Sequence, residues 1–184
     1  MKERPTDTGT EVMRDFDPGR PLASFARTVG AVLLSPGAFF PRMRRDAGFL
    51  PPFLFMTICL GAHVAAVWLL RTDLVLVERN LAMGLLFPFL TAAILHLVLT
   101  RIFRAGGAYQ VAFRVNAYAA AVNVFSWIPM AGMLLELYRV YLLAVGLAAA
   151  YRTKTSHAFG AIAITLLIYM AAAGAARQWG ISLS

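Results

Sequence analysis

The chain has 184 residues, of which 60% are hydrophobic and 14% charged, and its mean hydropathy is +0.69. A soluble domain carries about 25% charged and 45–50% apolar residues, so this apolar surplus excludes a water-covered globule and suits a bundle surrounded by lipid. The net charge of +8 does not point to nucleic acid: the basic residues stand at the ends of apolar runs, without a basic-aromatic stripe or zinc spacing.

In chain order, residues 1–20 mix both charge signs with Pro5, Pro18 and Gly19 and lack an apolar core, which predicts a flexible cytoplasmic tail and no cleavable signal peptide. Pro21 to Leu34 places Leu22, Phe25, Ala26, Val29, Val32 and Leu33 at helical spacing. The run is too short to span and is expected to lie in the headgroup plane. Ser35-Pro36 reads as an N-cap followed by a first-turn proline, opening a short helix to Asp46. That helix would turn Phe39, Phe40 and Met43 towards lipid, while Arg42, Arg44 and Arg45 meet anionic headgroups, fix topology, or simply form a solvated stretch. Residues 21–48 thus form one interfacial segment ahead of a membrane domain over 49–184.

Spans are predicted at Phe49–Leu70, Leu81–Phe103, Val111–Ile128, Met133–Ala150 and Ala158–Ala176. The fold class is all-α, a polytopic bundle of about five membrane helices. The first apolar run would act as an uncleaved signal-anchor. Polar connections fall at Arg71–Asn80, Arg104–Gln110, a tight turn at Pro129-Met130-Ala131-Gly132, and Tyr151–His157. The third span is interrupted by Arg114, Asn116 and Asn123. Lys and Arg concentrate before the first span, in the second-to-third connection and in the fourth-to-fifth connection, whereas the opposite side holds Arg71, Arg79 and Arg177. Positive residues stay cytoplasmic, which predicts the N-terminus inside a bacterial inner membrane and the C-terminus outside.

Ionisable groups within a bilayer need an account. Glu136 and Arg139, three apart, share a helix face: either an ion pair that neutralises itself and packs inward, or part of a polar path or partner site. His96 is read as hydrogen-bonded to a neighbouring helix rather than as a ligand or proton relay. Arg114 stands near enough to the cytoplasmic end to snorkel. Asn116 and Asn123, seven apart, would share a face and bond between helices. Cys59, the lone cysteine, cannot form a disulfide within the chain and reads as a packing residue. No His, Cys, Asp or Glu set has metal-ligand spacing, and no nucleophile, zinc-protease or phosphate-loop motif occurs, with Ser126 and Ser156-His157 isolated; neither a metal, a cofactor nor catalysis is expected.

Gly106-Gly107, then Phe113-Arg114-Val115-Asn116-Ala117-Tyr118-Ala119, Ile128-Pro129-Met130-Ala131-Gly132, Tyr141, Gly146-Leu147 and Thr155-Ser156-His157-Ala158 resemble, in order and spacing, the Yip1 family. Leu34-Ser35-Pro36 with Phe39-Phe40 is similar to the opening segment of bacterial members. The resemblance implies a five-helix membrane domain with a cytoplasmic N-terminus and no catalytic residues. Its eukaryotic relatives take part in vesicle trafficking and contact Rab-type GTPases; the short tail here departs from theirs, so that partner is not carried over. The expected function is non-enzymatic: helix packing with lipid or protein contacts at the cytoplasmic face, including a second copy or another membrane protein. The alternative is a small permease or channel with a polar path around Glu136, Arg139 and His96.

Overall fold

The computed structural model describes residues 16–45, 48–71, 74–128 and 131–178. Their elements are α1 (Pro21–Leu34), α2 (Pro36–Arg42), α3 (Leu50–Arg71), α4 (Leu74–Arg101), α5 (Tyr109–Ala119), a 3-10 helix (Ala120–Phe125), α6 (Gly132–Tyr151) and α7 (Thr155–Gln178). Among the described residues there is no strand. The tail over 1–15 and the Pro129-Met130 part of the expected turn lie outside them.

Helices α3, α4, α6 and α7 contain apolar stretches of 21, 25, 20 and 22 residues. At 1.5 Å per residue each covers a hydrocarbon core of about 30 Å. The second begins earlier than expected. Helix α4 is already formed at Leu74, so most of the connection expected over Arg71–Asn80 is helical, with Glu78 and Arg79 exposed.

The third segment departs from a uniform helix. Helix α5 has 11 residues and passes into a six-residue 3-10 helix, together rising about 28 Å. Its ends lie at opposite ends of the bundle. Tyr109 meets Phe49, beside the start of α3, at 6.0 Å between ring centres, while Ser126 Oγ lies 2.8 Å from His63 Nδ1, more than three turns along α3. Every residue from Val111 to Val122 is buried. Enclosure explains the polar interruptions: a helix walled in by its neighbours has no lipid-facing surface to keep apolar. The order is thus α3, α4, α5 with its 3-10 extension, α6 and α7, running alternately between the two ends. Trp68 and Trp127, both about half exposed, sit towards the end remote from the start of α3, as interfacial tryptophans do.

The N-terminal pair requires a correction. Pro36 cannot donate a backbone N–H and disfavours helix at Ser35, and α1 and α2 diverge there by 117°. Ser35 makes no side-chain cap hydrogen bond. Phe39, Phe40 and Met43, expected to face lipid, are 1%, 2% and 4% exposed. Phe39 packs edge-on to Tyr118 at 5.2 Å, and Phe40 lies over Gly146 of α6. At the elbow, Tyr138 of α6 donates its hydroxyl proton to the Leu33 carbonyl. Tyr138 is 13 residues from the end of α6, so the elbow reaches about 20 Å along the bundle before α2 returns. The pair is a hairpin set between helices. The buried side of α1 is Ser24, Thr28 and Val32, with Phe25 and Val29 half-buried; Leu22 and Ala26 of the expected apolar face are exposed. Phe16, from the expected tail, is buried 5.9 Å from the Phe55 ring.

Candidate functional site

One end of the bundle is basic and, among the described residues, closed by packed side chains. Arg42, Arg44, Arg45, Arg101, Arg104, Arg152 and Lys154 are all exposed there. Arg45 is also tied inward, Nη2 donating to the Ala149 carbonyl at 3.0 Å. Helix α6 ends on Arg152 at φ +50°, and Arg104, three residues past the end of α4, stands at φ +52°, both in the left-handed region usually given to glycine. Thr153 N–H reaches the Ala148 carbonyl at 3.0 Å, closing the last turn of α6.

Behind this face the described side chains pack on one another. Tyr151 Oη donates to the Ala108 carbonyl at 3.2 Å and lies 2.9 Å from His96 Nδ1, so His96 bonds to a neighbouring helix. The Tyr151 ring rests on Gly107, where a Cβ would stand 2.5 Å from it. Phe89 and Phe113 stack at 4.5 Å, flanked by Phe49 and Phe53. Arg114 does not snorkel. It is fully buried, with Nη1 donating to the Gly48 carbonyl at 2.8 Å and the guanidinium 5.9 Å from the Tyr118 ring centre.

The other end is open and polar inside. A cavity of about 250 Å³ lies between α4, α6 and α7 over α5, lined by Thr91, Asn116, Glu136, Arg139, Thr165 and Tyr169 among apolar side chains. A second, of about 400 Å³, lies between α3, α4, the 3-10 helix and α6, lined by His63, Asn80, Asn123, Ser126, Glu136 and Arg139. Phe87, Pro88, Glu136 and Arg139 line both, so the ion pair stands at their junction. Arg139 Nη1 is 3.9 Å from Glu136 Oε1; the Glu136 side chain is 64% exposed and that of Arg139 26%. Of the residues singled out from sequence, Glu136, Arg139, Asn116 and Asn123 converge here. His96 and Arg114 belong to the closed end.

Asn116 and Asn123 line different, adjoining cavities, since the chain rises about 12 Å between them as α5 passes into the 3-10 helix. Asn116 Nδ2 donates to the Pro88 carbonyl at 2.9 Å, and Ser126 Oγ to the Asn123 carbonyl at 2.9 Å. Ser126 is therefore not isolated, being held between His63 and Asn123. Asn80, Thr91 and Tyr169 were not singled out, and His63 was weighed only as a metal ligand alongside His96; the one signal for them was a polar side chain within an apolar run. Among the described residues no group of three or more His, Cys, Asp or Glu could hold a metal.

This architecture defines a multi-pass membrane protein: a helix bundle around an enclosed central helix, closed and basic at one end. A family model for the Yip1 domain matches residues 30–176. The chain belongs to the Yip1 family. Comparison with curated proteins and with solved structures gives no significant match.

Proposed function

We propose that this protein is a non-enzymatic organiser of a bacterial inner membrane, acting through lipid and protein contacts at its basic, cytoplasmic end. The observation that carries the reading is the gathering of exposed Arg42, Arg44, Arg45, Arg101, Arg104, Arg152 and Lys154 at one end, while Arg79 is exposed near the other beside Glu78. Positive side chains at a membrane surface favour the cytoplasmic leaflet and its anionic headgroups. The N-terminus then lies inside and, after five crossings, the C-terminus outside. The packing of Tyr151 on His96 and the Phe89–Phe113 stack behind the basic end supports contact over permeation.

The test uses purified protein in nanodiscs of mixed zwitterionic and phosphatidylglycerol lipid, reading retained phosphatidylglycerol by native mass spectrometry. Arg45 is kept, since it holds the last turn of α6. Replacing Arg42 and Arg44 by Gln removes two charges worth about 1 kcal/mol each, so retention weakens about 30-fold and its salt dependence falls. Unchanged retention defeats the lipid reading. Alkaline phosphatase fused after Ser184 is active; a stable but inactive fusion defeats the orientation.

A further inference from the structure

The 250 Å³ cavity at the open end holds an imbalance that the protein's own groups do not remove. Thr91 Oγ1 and Tyr169 Oη satisfy each other at 2.8 Å, and Thr165 Oγ1 donates to the Ala161 carbonyl at 2.8 Å. Asn116 is 1% exposed, and its amide orientation is fixed by the Nδ2 bond to Pro88. Its Oδ1 has no hydrogen-bond partner among the described residues, and neither does the buried Nε of Arg139. One group is an acceptor lacking a donor and the other a cationic donor lacking an acceptor. The Glu136 carboxylate lies at the same wall, 3.9 Å from Arg139 Nη1, too far for a strong charge-assisted bond.

Burial makes such vacancies costly, and within a bilayer more so. A water could reach Asn116, Glu136 and Arg139, but it brings no charge to either member of the ion pair, and Phe87, Leu95, Leu143, Ile162 and Leu166 form most of the remaining wall. The complementary ligand carries an N–H-bearing cation for Asn116 Oδ1 and Glu136, joined to an anion for Arg139.

We infer that this cavity binds a zwitterion bearing a primary ammonium and a phosphate or carboxylate, the ammonium on Asn116 and Glu136 and the anion on Arg139. A quaternary ammonium has no N–H to give Asn116 Oδ1 and would rely on rings, of which the cavity offers Phe87 and Tyr169 at 5.8 Å from each other. The site lies at the opposite end from the arginine cluster, so it stands or falls independently of phosphatidylglycerol binding there. Two sources supply this chemistry: the headgroup of phosphatidylethanolamine, with its chains passing out between the helices, and a small soluble zwitterion.

The full-length protein in nanodiscs containing equal phosphatidylethanolamine and phosphatidylcholine, delipidated stepwise in detergent, reports which lipid is held last. Phosphatidylethanolamine is expected to be retained at least about tenfold over phosphatidylcholine, the effect of one hydrogen bond to a charged group. Soluble phosphoethanolamine, added as competitor, separates the sources: displacement of the lipid identifies the free zwitterion as sufficient, and no displacement identifies the lipid. Glu136→Gln, at an exposed position of unchanged shape, removes the preference. Asn116→Leu does so too, provided Cys59 stays unreactive to a thiol dye, which shows the bundle intact. Equal retention of the two lipids by the native protein, or a preference that survives Glu136→Gln, overturns the inference.

Discussion

Gly146 is where the hairpin, the enclosed helix and α6 meet, and it offers the sharpest test of the packing. A Cβ there would stand 2.5 Å from Val115 Cγ1 and 3.0 Å from Phe40 Cδ1 and Cε1. Val115 and Phe40 are 0% and 2% exposed, so neither has free space to yield into. Gly146→Ala therefore overpacks a closed site, at a cost of about 1–3 kcal/mol. For a chain of this size, at about 2–4 °C per kcal/mol, the midpoint falls by about 2–12 °C. The lone Cys59 reports it: the thiol is fully buried and gains reactivity to a fluorogenic maleimide when the bundle opens. Val115→Ala removes the methyl that the new Cβ strikes, so in that background Gly146→Ala costs less, a coupling of about 0.5–3 kcal/mol. Gly61→Ala in α3, with nothing within 4 Å of its Cβ, is the control and holds or raises the midpoint by up to about 1 kcal/mol equivalent. A Gly146→Ala midpoint equal to the native one, or an unchanged cost beside Val115→Ala, would refute the docking of the hairpin against α5 and α6.

Two further substitutions probe the closed end by the same dye assay. Tyr151→Phe takes the hydroxyl from between His96 and the Ala108 carbonyl, leaving the half-buried His96 nitrogen without it while the exposed Ala108 turns to water, and costs about 1 kcal/mol; a shift under about 1 °C would show that the network does not hold. Arg114→Met keeps much of the stem but abandons the Gly48 carbonyl and the Tyr118 ring, and is expected to lower stability by about 2 kcal/mol or more. A neutral outcome would make Arg114 a replaceable filler.

The spans were legible because their signal is a long apolar run that needs no partner, and α3, α6 and α7 fall within a few residues of expectation. The hairpin was not legible. Phe39 and Phe40 have the same sequence signature whether they face lipid chains or Tyr118 and Gly146, because both surroundings are apolar. Hydropathy measures escape from water, and in a membrane protein that does not separate outside from core. The convergence of Glu136, Arg139 and Asn116 depends on a further hidden quantity, the relative rotation of α5 and α6. The 3-10 winding after Ala119 has no mark in a run of alanine and valine. Arg152 in the left-handed conformation was equally hidden, since the usual glycine is absent.

Helix α5 shows why a polar residue within a membrane protein is not by itself a site. Arg114 and Asn116 are neighbours on one enclosed helix, and both interrupt an apolar run in the same way. The structure gives Arg114 a carbonyl and a ring to lie against, and in that setting its charge joins the first residues of the membrane domain to the centre of the bundle. Asn116 receives half as much. Its amide nitrogen is spent on Pro88, which locks the side chain, and the oxygen is left facing no donor among the described residues. An asparagine needed only to join α5 to α4 would have its purpose met by that one bond, yet the cavity beside it also holds an unmatched arginine nitrogen and a carboxylate. Where the bilayer penalises each open hydrogen bond, two such groups beside a carboxylate at one cavity are harder to explain as packing than as a recognition surface for a ligand of opposite polarity.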